Sequence, residues 1–417
     1  MSTSDIEMAT WRPVYAEDPH PFFAEPGLPA PVSRGTLDGL PVWLVTGYDD
    51  VRRLLADERV SSELRNASPA ARAVPWMQAD SSSLVAAQSL VRLDNPEHAR
   101  VRKLVAKAFT ARRVEALRPR VQQITDHLIQ TMLPRGHVDL ISDFALPLPL
   151  AVISELLGIP EDGRQDFLRW SNIYMGVDEG DVGRRAEALS RISDYVSALI
   201  ADKSARRGGG AEDGSLLDAL IAVRDEGDRL SHDELLSLAF LLPVAGYETT
   251  ANLIANGMLG LLHHPDQLAA LRADPARIGP AIEELLRYDT PVKMPALRFT
   301  TAEVQVADTV IPAGEAVVLF LSAANRDPDR FPAAGDLDVR RDTSGHHLAF
   351  GYGAHFCLGA PLARLEAKIA FTALLTRLDG LALGPGAPAW RHTFQLHSLK
   401  TLPVTFTPVP GGAETSP

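Results

Sequence analysis

Cysteine occurs once in the 417 residues, at Cys357. A single thiol excludes an intramolecular disulfide framework and a multi-cysteine cluster site, and it suits a reducing compartment. Basic residues are in deficit, with 41 Lys and Arg against 53 Asp and Glu and a formal charge of −12. That balance argues against nucleic acid as a partner. Long hydrophobic runs are missing as well. The most apolar stretch, Leu235 to Ala245, contains Pro243 and is too short to span a membrane. The first residues, MSTSDIEMATWRPVYAEDPHPFF, carry acids and hold no apolar segment of the kind a signal peptide needs. These absences predict a cytoplasmic protein with no membrane span. Phosphate-binding loops are absent too. The glycine run Arg206 to Gly214 (RRGGGAEDG) has no GK[ST] ending and no strand before it, so it is a flexible linker by composition.

The strongest positive signal surrounds the lone cysteine. Residues 350–359 read FGYGAHFCLG, and Gly351, Gly353 and Gly359 crowd Cys357. Such a loop can turn its N–H groups toward one sulfur. The next residues, APLARLEAK from Ala360, have a helical pattern. A sulfur at a helix N-terminus meets partial positive charge, which favours thiolate and hence a metal ligand. An inert buried thiol is the plain alternative for a lone cysteine. A Cys–His nucleophile with His355 is another, but such pairs normally come from separate parts of a chain.

The pattern Phe350-x-x-Gly353-x-His355-x-Cys357-x-Gly359 resembles the haem-binding loop of the cytochrome P450 family. In that family a cysteine thiolate is the proximal ligand of haem iron. The resemblance covers nearly the whole chain. It implies one domain over residues 1–417, mainly α with small β-sheets. Haem would lie between a long central helix and the helix that follows the cysteine.

Taken in order, residues 1–40 are rich in Pro and Gly and read as a surface wrap. Pro41 to Thr46 reads as a strand and Tyr48 to Ala56 as a short helix. Residues 61–93 lack sustained periodicity, and a loop that long is usually functional or disordered. By resemblance, 61–93 and 161–205 are substrate-access regions. Leu84, Val85 and Ile173 would then touch substrate. Asp94 or Asn95 with Pro96 predicts a helix start. His98 and Arg102, four apart, share its face. The resemblance makes them haem-propionate ligands together with Arg298 and His355; a solvated basic face is the alternative.

Ser231 with Glu234 forms a capping box for a helix reaching His263. Its centre, LLPVAGYETT, places Pro243 and Gly246 in mid-helix, which favours a kink. The run Ala245-Gly246-Tyr247-Glu248-Thr249-Thr250 resembles the family's oxygen-binding groove. There Ala245 and Gly246 would make room for dioxygen, while Glu248 and Thr249 manage protons. A threonine bonded back to its own helix is the alternative for Thr249. Leu241, Val244, Val292 and Met294 would line the substrate pocket. Glu284 and Arg287 match the family's E-x-x-R pair, with Arg341 favoured over Arg340 as third partner, in a structural role.

No flavin-type, nicotinamide-type or cluster-type segment is present. By resemblance the cofactor is haem b, and NAD(P)H acts only through separate proteins, a ferredoxin and its reductase. Their docking face would include Arg112, Arg113, Arg364 and Lys368. The implied reaction inserts one oxygen of O2 into a C–H or C=C bond of a bulky apolar metabolite such as a macrolide, polyketide or terpenoid. The enzyme is read as a monomer. A peroxide-using or oxidative-coupling haem-thiolate enzyme, and a non-catalytic helical binding protein, are the alternative readings.

Overall fold

The computed structural model describes residues 6–8, 15–23, 31–74, 77, 89–175, 182–207, 215–225, 230–343 and 345–408. The chain is mainly helical, and its organising element is the helix His232–His263. Ser231 caps it: its hydroxyl accepts from the Glu234 amide at 3.1 Å, and the Glu234 carboxylate accepts from the Ser231 amide at 2.8 Å. Two orphan amides are thus satisfied at once. Pro243 lies inside the helix. Core packing surrounds it on nearly every side, and that tertiary support outweighs the missing N–H. It is long and apolar enough to cross a membrane by length and composition, but 72% of its apolar window is buried inside the protein.

The helix Ala360–Arg377, which follows the cysteine, packs against this central helix. A Cβ on Gly257 would lie 2.7 Å from Cζ of Phe371, so glycine there sets the closeness of the two helices. Helices Arg118–Met132, Pro147–Leu157 and Ile278–Tyr288 fill in around them. The helices Glu161–Met175 and Val182–Arg207 pack on each other, and the second also rests on the central helix.

A six-stranded sheet stands beside the helical body, in the order Ile6–Glu7, Val32–Leu37, Leu40–Val45, Ala316–Leu319, Arg298–Thr300, Val60–Ser61. Successive strand residues face opposite ways. Phe299 enters the core cluster with Met294 and Leu297, so Arg298 is presented on the other face. The described part of residues 1–40 is more than a wrap. Met8, Tyr15 and Phe22 are fully buried, and Tyr15 and Phe22 meet Phe320 in an edge-on aromatic group. Their apolar area contributes to the core on the order of 2 kcal/mol per side chain.

Candidate active site

Along the central helix nearly every residue from Ser237 to Leu261 is buried. The exceptions are Leu241, Leu242, Ala245, Gly246 and Thr249. Their spacing traces a single helix face. An open stripe on the innermost helix of a protein marks an internal space. Val244 is off that stripe and packed in the core, so it does not face the space as expected. The Thr249 hydroxyl donates to the Ala245 carbonyl at 2.9 Å, and Thr250 donates to Gly246 at 3.0 Å. Thr249 is thus held by its own helix, on the open face. Glu248 is 2% exposed and lies off the stripe. The Tyr247 hydroxyl, buried beside it, donates to Oδ1 of Asn172 on the helix Glu161–Met175.

Cys357 is a second accessible group. Its amide donates to the Phe350 carbonyl at 2.9 Å, closing the loop, and its side chain is accessible. Gly353 has φ +72°, and a Cβ there would lie 2.9 Å from the Leu55 carbonyl oxygen. Only glycine fits that approach. Desolvation by the surrounding protein pushes the thiol above its ordinary value. The amides of Gly359 and Ala360, with Arg102 and Arg364, pull the other way without prevailing. The helix-start amides thus act in the direction the sequence implies, and a bound cation would add to them.

Beside the cysteine loop, His98, Arg102, Arg298 and His355 form a group of bases. The imidazoles of His98 and His355 lie 4.1 Å apart. Arg102 donates to the Phe356 carbonyl, and Ser62 meets His355 at 3.1 Å. Burial, reinforced by Arg298, His98 and Arg102, pulls His355 down to about 3. Burial and Arg102 lower His98, and burial takes Arg298 down to about 10. Asp94 opposes both shifts. Asp94 does not cap the helix Glu97–Ala108 as expected; its carboxylate accepts from Ser61 and from the Ser62 amide instead. Two buried nitrogens in the group, Nε2 of His98 (2% exposed) and Nη1 of Arg298 (4%), have no partner. Buried polar groups are normally satisfied, so this group is built for an anion. The two propionates of a haem supply that chemistry, and the residues present fit the group.

Among the ion pairs that brace the cysteine loop, the sequence pointed to Glu284, Arg287 and Arg341 but not to Glu283. Glu284 binds Arg287 through both carboxylate oxygens and also accepts from Nε of Arg341 at 3.2 Å. Its neighbour Glu283 accepts two bonds from Arg364 at 2.7 Å and meets His347 at 3.0 Å. Arg364 also lies 4.5 Å over the Phe350 ring. Arg364, expected on an electron-donor face, is thus engaged in bracing the cysteine loop. Arg112, Arg113 and Lys368 are exposed. Doubling of the acid in Glu283-Glu284 was the available signal. Ile173 is half-buried, Val292 bridges to Leu396, and Met294 is buried in the second core cluster. Leu84 and Val85 lie outside the described residues.

A helical body holding an accessible cysteine, an open stripe on its central helix and an unsatisfied anion cradle defines a haem protein. Residues 165–278 and 279–383 match the family described as Cytochrome P450. The chain is 48% identical to Cytochrome P450 monooxygenase PikC of Streptomyces venezuelae, over 94% of this chain and 91% of that one. It is 41% identical to 6-deoxyerythronolide B hydroxylase of Saccharopolyspora erythraea, over 92% of this chain and 94% of that one. The solved structure of tirandamycin C-bound P450 monooxygenase TamI superposes with a TM-score of 0.86 at 39% identity, covering 96% of this chain and all of the other. The chain belongs to the cytochrome P450 family of monooxygenases, and its cofactor is haem b.

Proposed function

We propose that this enzyme hydroxylates a C–H bond of a bulky apolar polyketide, most simply a macrolactone, with one oxygen of O2. The observation that carries the reading is the open stripe on the central helix, whose upper part, Leu241, Leu242 and Ala245, is apolar. The similar 6-deoxyerythronolide B hydroxylase and the tirandamycin C-bound TamI support the substrate class.

Haem, when bound, supplies the iron centre that takes up O2 and two electrons. Cys357 would ligate that iron, with Phe350, Gly351 and Gly359 shaping the loop around the sulfur. His98, Arg102, Arg298 and His355 would hold the propionates. That contact satisfies Nε2 of His98 and Nη1 of Arg298. Ala245 and Gly246 leave room beside the helix for O2. Thr249 presents its hydroxyl on the open face, and Glu248 supplies protons from behind. Ile173, Leu241 and Val292 border the substrate, with Leu84 and Val85 as expected contacts from the access region. Electrons arrive from a ferredoxin and its NAD(P)H-dependent reductase. The exposed bases Arg112, Arg113 and Lys368 offer an acidic donor a complementary face. The enzyme works as a cytoplasmic monomer, folded as one domain over residues 1–417.

The test is spectroscopic. Dithionite-reduced protein with carbon monoxide should give a strongly red-shifted Soret band that Cys357→Ala abolishes. A panel of macrolactones, 6-deoxyerythronolide B among them, should then shift the haem spin state. A haem-free wild type after haem-replete expression overturns the reading.

A further inference from the structure

Lys293, the residue after Val292, is fully buried. Burial takes its ammonium down to about 7, with Asp289 pulling the other way. A buried cation costs the fold, and a methionine would fill nearly the same space without that cost. What lysine adds is a set of donors. Its Nζ donates to the Thr393 carbonyl at 2.9 Å and to the Tyr15 carbonyl at 3.2 Å. It also lies 4.0 Å from the centre of the Tyr15 ring, close enough for a cation–π contact. One side chain thus joins the N-terminal segment to the turn 393–396.

That turn is closed on itself. The Thr393 hydroxyl donates to the Leu396 carbonyl at 2.8 Å and accepts from the Leu396 amide at 3.1 Å. A turn closed in this way moves as a unit, so whatever holds Thr393 places all of it. Its far side is bound to the chain around Val292: the Lys293 amide donates to the Gln395 carbonyl at 2.8 Å, and Val292 bridges to Leu396. The Tyr15 ring backs the turn, 5.6 Å from the ring of Phe394. Val292 is half-buried, and it is the member of this unit assigned above to the substrate border. We propose that Lys293 is a positioning residue for substrate selection: by holding Thr393 on the N-terminal segment, it sets how far the turn and Val292 reach into the substrate space. The inference rests on the proposed place of Val292 beside the substrate.

Two ligands of different size test it without the natural substrate. Imidazole and the bulky clotrimazole both bind haem iron and shift the Soret band, but only the second is large enough to reach a distant pocket wall. Lys293→Met should weaken clotrimazole about tenfold, the effect of a methylene-sized change in a pocket. Imidazole binding and the carbon monoxide band should be unchanged. Lys293→Gln, which keeps N–H donors without the charge, should recover part of the loss. Hydrogen exchange over 393–397 should quicken in Lys293→Met while the central helix stays protected. Clotrimazole bound as tightly as in wild type, with the carbon monoxide band intact, overturns the inference. So does an equal weakening of both azoles, which assigns Lys293 to general stability. If Lys293→Met fails to fold, Lys293→Gln decides, and wild-type clotrimazole binding there overturns the inference. A wild type whose spin state no macrolactone shifts overturns the polyketide reading instead, while the azole pair still decides the role of Lys293.

Discussion

Glu284 grips Arg287 with both carboxylate oxygens at 2.7 Å, and neither side chain has any exposed surface. Arg287 spends its remaining donors on the carbonyls of Asn325, Ala334 and Asp336. The pair ties the helix Ile278–Tyr288 to the segment that leads into the cysteine loop. Removing one partner leaves a charge buried without compensation. Glu284→Gln should cost about 3–5 kcal/mol in urea unfolding and lower haem content. A loss below about 1 kcal/mol, the range of exposed pairs, contradicts this account.

Glu283, next to that sealed pair, is held by Arg364 and His347. Burial raises its carboxyl, but hydrogen bonds and charge from Arg364 and His347 outweigh burial and take it from 4.5 to about 2. A carboxyl lowered by folding stabilises the fold above its unfolded value, and that contribution is lost as pH falls through the folded value. Wild type should be more stable than Glu283→Gln at neutral pH. The two curves should converge as pH falls from 4.5 toward about 2. Thermal unfolding across that window checks it; parallel curves refute it.

Arg298 is buried with Nη1 unpartnered. Arg298→Met should release haem to a scavenger protein faster by about 10- to 100-fold, the worth of a charged hydrogen bond. Arg298→Lys should recover part of that loss. An unchanged release rate would assign the propionates to other residues.

Parts of this architecture were legible because their partners are close in sequence. The Ser231–Glu234 cap spans three residues and formed as the pattern predicts. The apolar pattern located the central helix, and Pro41 to Thr46 was one residue out of register with the observed strand Leu40–Val45. Pro243 is accommodated within that helix, where core packing offsets its missing N–H. The N-terminal segment misled by composition: its Pro and Gly content hid Tyr15 and Phe22, which are core residues.

By itself the sequence determined which chemistry is available. One cysteine in a glycine-framed loop, one acid–alcohol pair in a long apolar helix, and bases at fixed helical spacing are all local patterns, set by a few consecutive residues. Only the tertiary structure decided what those groups experience. It brought His98 against His355, which lie 257 positions apart by number, and set Glu283 between His347 and Arg364. It also pushed the Cys357 thiol up rather than down. The physical reason is that burial and long-range pairing depend on how distant segments meet. Local spacing fixes neither.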